Sequence, residues 1–294
     1  MRAPLPFCLA RRHLLMAALA ALCLTATAQS QAPVQGVRVF SAGHSFHVFV
    51  PPILAAICKD AKLTDHKQVG VQSIGGSQVI QHWNLPEAKN TVKPALQTGK
   101  IDVLTLSPIY LPDAGIENLA KLGLEHNPNI RVTVEEFWLP FDTYEKNQAK
   151  MKGRKVDRTK TDLPELRKMH EAYFEAMDEH VTELNKKFGK QVVFVVPAGQ
   201  AVMALRENIA EGKAPGLKAD GDLFTDDIGH AKAPLQALVA YSHYAVIYRQ
   251  SPVGLPVLPM LKTFDPDGAL TKLLQELAWD AAVKHPLSGV KATK

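Results

Sequence analysis

Three short clusters hold the residue types needed to transfer an acyl group through a hydroxyl nucleophile. Gly43-His44-Ser45-Phe46 sets a serine after an apolar run and before a helical stretch. A hydroxyl placed there stands at the carboxyl end of a strand, with its amide near a helix N-terminus, where an oxyanion could be received. Asp227-Ile228-Gly229-His230 supplies a general base and a carboxylate to orient it, close enough for one loop to present both. Ile74-Gly75-Gly76-Ser77 offers a turn whose backbone can approach a ligand closely and whose amides can donate to an oxyanion. Each fragment also has a plainer use, as an N-cap, a capped loop or a strand-to-helix turn.

Alternating strands and helices must bring these clusters together. Apolar runs at 37–41, 68–74, 101–106, 130–138 and 191–196 read as strands, several of them stopped by Gly or Pro. Their near-continuous apolar character suits a parallel sheet covered on both faces. Helical periodicity falls between them, at about 49–61, 90–97, 114–125, 201–211, 234–248 and 267–284. It is clearest over 163–188, where Leu166, Met169, Tyr173, Met177, Val181, Leu184 and Phe188 recur at steps of three or four before Gly189. The alternation predicts an open, doubly wound α/β sheet, with ligands bound beyond the carboxyl ends of its strands. No internal repeat or low-complexity linker interrupts it, so a single domain over 29–294 is expected.

The order of the clusters is more specific than any one of them. A serine after the first strand, a glycine after the second and D-x-x-H near the C-terminus resemble the SGNH/GDSL hydrolase family. The likeness continues through His230-Ala-Lys-Ala-Pro-Leu and Ser251-Pro-Val-Gly, and spans roughly residues 36–256. The resemblance implies a three-layer α/β/α sandwich around a five-stranded parallel sheet in flavodoxin-like order. It also implies ester hydrolysis by Ser45, His230 and Asp227 with no metal or organic cofactor. The amides of Ser45 and of Gly75 or Gly76 would form the oxyanion hole. Two departures stand out. The first block is G-H-S rather than G-D-S or G-N-S, leaving His44 either to contact substrate or to fill space. The third strand leads into Ser107-Pro108-Ile109-Tyr110, without the asparagine the family places there; one lost oxyanion donor costs about a hundred- to a thousandfold in rate. The G-x-S-x-G elbow of α/β-hydrolases is absent, since His47 occupies the last glycine position.

Composition narrows the setting. The 294 residues are 46% hydrophobic and 21% charged, as for a globular protein with a sizeable core. Arg2, Arg11 and Arg12, an apolar run at 14–24 and Ala26-Thr27-Ala28 together read as a cleaved export signal over 1–28. Without those three arginines the charge falls from +5 to +2, which removes the case for nucleic-acid binding. Only Cys58 then remains, so no internal disulfide is expected, and no later stretch is long and apolar enough for a membrane anchor. His44, His47 and His230 lack the carboxylate or cysteine spacing of a zinc site. Trp83 could stack on a sugar or belong to the core. A basic segment at 143–161 reads either as a solvated loop or as a lid that attracts an anionic substrate. Together these features suggest an exported esterase acting on a small-molecule or polysaccharide ester, with deacetylation of a glycan preferred. A glycan-binding protein without turnover and an acyltransferase using the same triad remain as alternatives.

Overall fold

A computed structural model describes residues 34–291 apart from 146, 147 and 152. The 1–28 segment therefore lies outside the described residues. Five parallel strands form one sheet in the order β2-β1-β3-β4-β5, namely β1 Arg38–Gly43, β2 Lys67–Ser73, β3 Val103–Leu106, β4 Arg131–Glu135 and β5 Val193–Val196. This is the flavodoxin-like order expected of the chain, with helices on both faces. Because every pair is parallel, all five carboxyl ends open on one edge, where loops gather the polar residues.

The helices are α1 Val50–Asp60, α2 Val79–Trp83, α3 Val92–Gln97, α4 Ala114–His126, α5 Leu163–Phe188, α6 Ala198–Ala210, α7 Ala233–Tyr248 and α8 Ala269–Lys284. One group, α1, α6, α7 and α8, packs together around α7, while α2 and α3 both pack against α4. Apolar residues surround α7 almost completely, and nearly all of its side chains are buried. Such a helix belongs in the interior, and it forms the centre of its layer. The boundaries of α5 coincide with the periodic stripe. Asp162 caps its start by accepting from the Glu165 amide at 3.0 Å, and Gly189 ends it in the left-handed conformation.

Strands β1, β3, β4 and β5 are buried almost throughout, as near-continuous apolar runs require. β2 differs. It lies at the sheet edge, and Val69 and Val71 are each 45% exposed, so this strand is not covered on both faces. The alternation of KQVGVQS is that of a half-solvated edge. Helix α2 is only five residues long, too short for a periodic signal, and had no counterpart in the sequence pattern. Cys58 lies buried in α1, and burial pushes its thiol up to about 12, so it is an inert packing residue. Among the described residues, no helix is long and apolar enough to cross a membrane.

Candidate active site

Ser45 stands two residues beyond β1, in a tight turn that leads into α1. The turn closes through His47 N to His44 O at 2.9 Å and Val48 N to His44 O at 3.1 Å. Its tightness explains Gly43, since a Cβ there would lie 2.9 Å from the His47 ring. The His44 ring braces the same turn. Its Nδ1 accepts the Phe46 amide at 3.2 Å, so Nε2 carries the proton and donates to Ser107 Oγ at 2.9 Å. Burial is the main reason its pKa falls to about 4, so the ring is neutral. His44 borders the cavity in front of Ser45, and its two nitrogens are both engaged in holding the turn.

The base arrives from the opposite direction, on the loop between α6 and α7. His230 Nε2 is 2.8 Å from Ser45 Oγ. The sequence motif assigned Asp227 to the other ring nitrogen, but the carboxylate there is Asp226, with Oδ2 2.6 Å from His230 Nδ1. Asp226 Oδ1 also accepts the amides of Gly229 at 2.9 Å and His230 at 3.1 Å, which ties the loop into a closed turn around the carboxylate. Asp227 points away. Its carboxylate receives Lys155 Nζ at 2.9 Å and the Val156 amide at 3.1 Å. The turn that Asp226 Oδ1 closes on the amides of residues 229 and 230, passing through Gly229 at φ +103°, sets position 226 rather than 227 against the imidazole. Burial raises the Asp226 pKa, but the His230 ring and the two amides outweigh it, and the carboxyl is held below its usual range.

Four consecutive carbonyls of this loop are held by donors from elsewhere. Arg158 Nη1 donates to Asp226 O at 2.8 Å and Nη2 to Asp227 O at 2.9 Å. The Phe141 amide donates to Ile228 O at 2.9 Å, and Trp138 Nε1 to Gly229 O at 2.8 Å. Trp138 also stacks on Phe46 with centroids 4.6 Å apart, and Phe46 presents an edge contact to His230 at 5.3 Å. The serine turn and the histidine loop thus share one aromatic buttress. Further support comes from Arg206, which is buried on α6. It grips Asp142 through two parallel hydrogen bonds of 3.0 and 2.9 Å, and Asp220 at 2.9 and 2.7 Å. Phe141 and Asp142 both have positive φ, at 54° and 52°. A left-handed non-glycine residue costs on the order of 1–2 kcal/mol. Here the buried Arg206 fork and the Ile228 carbonyl hold both residues in place.

Four charges of the basic segment are paired, three of them on lysines that remain largely exposed. Lys155 pairs with Asp227, Arg158 with Asp142, Lys160 with Asp157 and Lys150 with Glu145. Residues 146 and 152 lie outside the described residues. The segment places Tyr144, Met151 and Gly153 along one wall of a cavity of about 390 Å³ that opens at Ser45. Gly76, at φ +61°, borders this cavity with Ser45, whereas Gly75, one residue earlier in the turn, does not. Trp83 does not border it either. Its ring packs partly against the core and lies 3.9 Å from Lys93 Nζ, so α2 carries it away from the serine.

One grouping was not foreseen. Glu135 ends β4 fully buried, and its Oε2 meets His47 Nδ1 at 2.6 Å and His243 Nε2 at 2.7 Å. Burial raises its pKa, but the two imidazoles more than offset this and hold the carboxyl below its usual range. Among the described residues, these three are the cluster with the donor set for a cation. Ligand atoms around tetrahedral zinc lie about 3.3 Å apart, given bonds of about 2.0 Å. The separations here are those of hydrogen bonds. The cluster anchors His47, and with it the serine turn, to β4 and α7. The sequence pattern missed it because its members lie 88 and 108 positions apart.

No family model matches the chain, and no curated protein matches it. Among solved structures it is similar to a DUF4886 family protein from Bacteroides uniformis, at 14% identity and a TM-score of 0.53, covering 85% of this chain and 95% of that one. It is also similar to a "putative GDSL-like lipase" from Parabacteroides merdae, at 14% identity and a TM-score of 0.42, covering 71% of this chain and 94% of that one. At this identity the first similarity is one of fold, an α/β architecture built on a parallel sheet.

Proposed function

We propose that this chain is an exported serine hydrolase of carboxylic esters, with Ser45 as nucleophile, His230 as general base and acid, and Asp226 as the orienting carboxylate. The observation that carries this reading is the hydrogen-bonded series Asp226–His230–Ser45, with steps of 2.6 and 2.8 Å, ending at the mouth of a cavity on the carboxyl edge of the sheet. The first 28 residues support the exported setting.

Ser45 Oγ attacks the ester carbonyl carbon while its proton passes to His230 Nε2. Asp226 accepts from Nδ1 throughout, which keeps Nε2 free to take that proton and stabilises the imidazolium. The tetrahedral oxyanion is received by the amides of Ser45 and Gly76. Collapse breaks the bond to the alcohol oxygen, which leaves with the proton from His230. Water then attacks the acyl-serine, gives its proton to His230, and the acid departs as Ser45 recovers its hydrogen. The test is hydrolysis of p-nitrophenyl esters by the mature protein and by Ser45→Ala. Turnover that vanishes with the hydroxyl supports the assignment; turnover that persists in Ser45→Ala removes it. Trp83 lies away from the cavity and so offers no stacking surface at Ser45, whereas the binding alternative, which rests on the asparagine missing after β3, predicts no turnover in the same assay.

A further inference from the structure

The cavity at Ser45 also bears on which ester is cleaved, an inference that rests on the hydrolase reading above. Its walls are built from Ile109, Phe137, Leu139, Phe141, Met151 and Ile228, contributed by the loops after β3 and β4, the basic segment and the histidine loop. Among the described residues, no lysine or arginine borders it. His44 is held neutral there, and its nitrogens are occupied by Phe46 and Ser107. Glu145, which also borders it, pairs with Lys150. Tyr110, Thr143 and Tyr144 also border it, but apolar side chains make up most of the described wall, which gives the many hydroxyls of a sugar few partners. It offers a great deal to hydrocarbon.

We propose that this cavity holds the acyl group of the substrate, and that the acyl group is an apolar chain of roughly six to ten carbons rather than acetyl. The size follows from volume. A dry apolar cavity of about 150 Å³ accommodates the six carbons of benzene. The 390 Å³ available here must also admit the ester group and part of the alcohol. An acetyl methyl would leave most of the apolar wall in contact with water. Each further methylene buried against that wall strengthens binding by up to about fourfold, and shared binding energy of this kind appears in kcat/KM. The basic segment then contributes Met151 to the apolar wall, and Arg158 ties it to Asp142 and to the carbonyls of the histidine loop.

The experiment is a series of p-nitrophenyl esters from acetate through butyrate, hexanoate and octanoate to laurate, assayed with the wild type and with Met151→Trp. The expected result is a kcat/KM that rises roughly ten- to a hundredfold from acetate to hexanoate or octanoate and falls at laurate. Met151→Trp should move the optimum to shorter chains. A profile that is highest for acetate and falls with each methylene overturns the proposal while leaving the hydrolase reading intact, as does an optimum that Met151→Trp does not shift. If no ester is cleaved, the hydrolase reading fails, and the cavity is tested separately. The methyl resonance of Met151 is followed by NMR in Ser45→Ala during titration with hexanamide and with acetamide. A shift with hexanamide and none with acetamide supports an apolar occupant; equal response, or none to either, overturns it.

Discussion

Asp226→Asn and Asp227→Asn separate two adjacent carboxylates by their geometry. In Asp226→Asn, the amide oxygen can keep the contacts that Oδ1 makes with the amides of Gly229 and His230, so the turn should survive. The change falls on the other oxygen, 2.6 Å from His230 Nδ1. An amide NH2 there donates instead of accepting, so the imidazole places its proton on Nε2, which then points at Ser45 and cannot take a proton from it. The same substitution in a fully buried triad costs about 10⁴ in kcat. Here the Asp226 side chain is 42% exposed, so water can partly substitute, and a loss of about 10²–10³ is expected. Asp227→Asn should keep the Val156 contact and lose only the ion pair to Lys155, a side chain 87% exposed, leaving kcat within about threefold of wild type. The assay is kcat and kcat/KM for a p-nitrophenyl ester at neutral pH, with urea unfolding to confirm that both variants are folded. A hundredfold loss in Asp227→Asn with little change in Asp226→Asn would refute the placement of the loop.

Two further predictions concern what holds the site together. Arg158→Ala removes both guanidinium contacts to the carbonyls of residues 226 and 227, and kcat should fall at least about tenfold with KM little changed, whereas Arg158→Lys should not rescue it because one ammonium cannot span both carbonyls. An unchanged kcat in Arg158→Ala would show that the loop holds itself. His44 and His170 are both pushed down to about 4 chiefly by burial, so their ring resonances should not titrate between pH 7 and 5 in NMR. An imidazole freed by unfolding takes up a proton near pH 6.5, so the stability these residues contribute is full above that value and is lost as pH falls towards 4. Titration of either ring near 6.5 would contradict its assigned surroundings.

The fold was largely legible because its elements have strong local signatures. The stripe from Leu166 to Phe188 fixes the period and boundaries of α5, and the apolar runs locate the strands, although the run at 130–138 outlasts β4, which ends at Glu135. The pairing of Ser45 with His230 was legible from motif order. The choice between Asp226 and Asp227 was not, because both lie within reach of His230 along the chain and the decision falls to the backbone turn at Gly229. The choice between the two readings of Trp83 was not legible for a related reason. A lone aromatic after a glycine turn has no periodic context, and the five-residue α2 sends it towards Lys93. The basic segment reads from composition as a solvated loop or a lid, and its partners Asp142 and Asp227 are not legible because they come from outside it. The Glu135 cluster and the Arg206 fork depend on contacts across the fold, which no local pattern encodes.

The most direct measurement is covalent labelling with an alkyl fluorophosphonate, in which the serine oxygen displaces fluoride at phosphorus and the adduct is located by peptide mass spectrometry. One adduct on Ser45 is predicted, absent in Ser45→Ala and formed at least about a hundredfold more slowly in His230→Ala. No adduct on the folded wild type, or an adduct on another residue, would contradict Ser45 as the nucleophile.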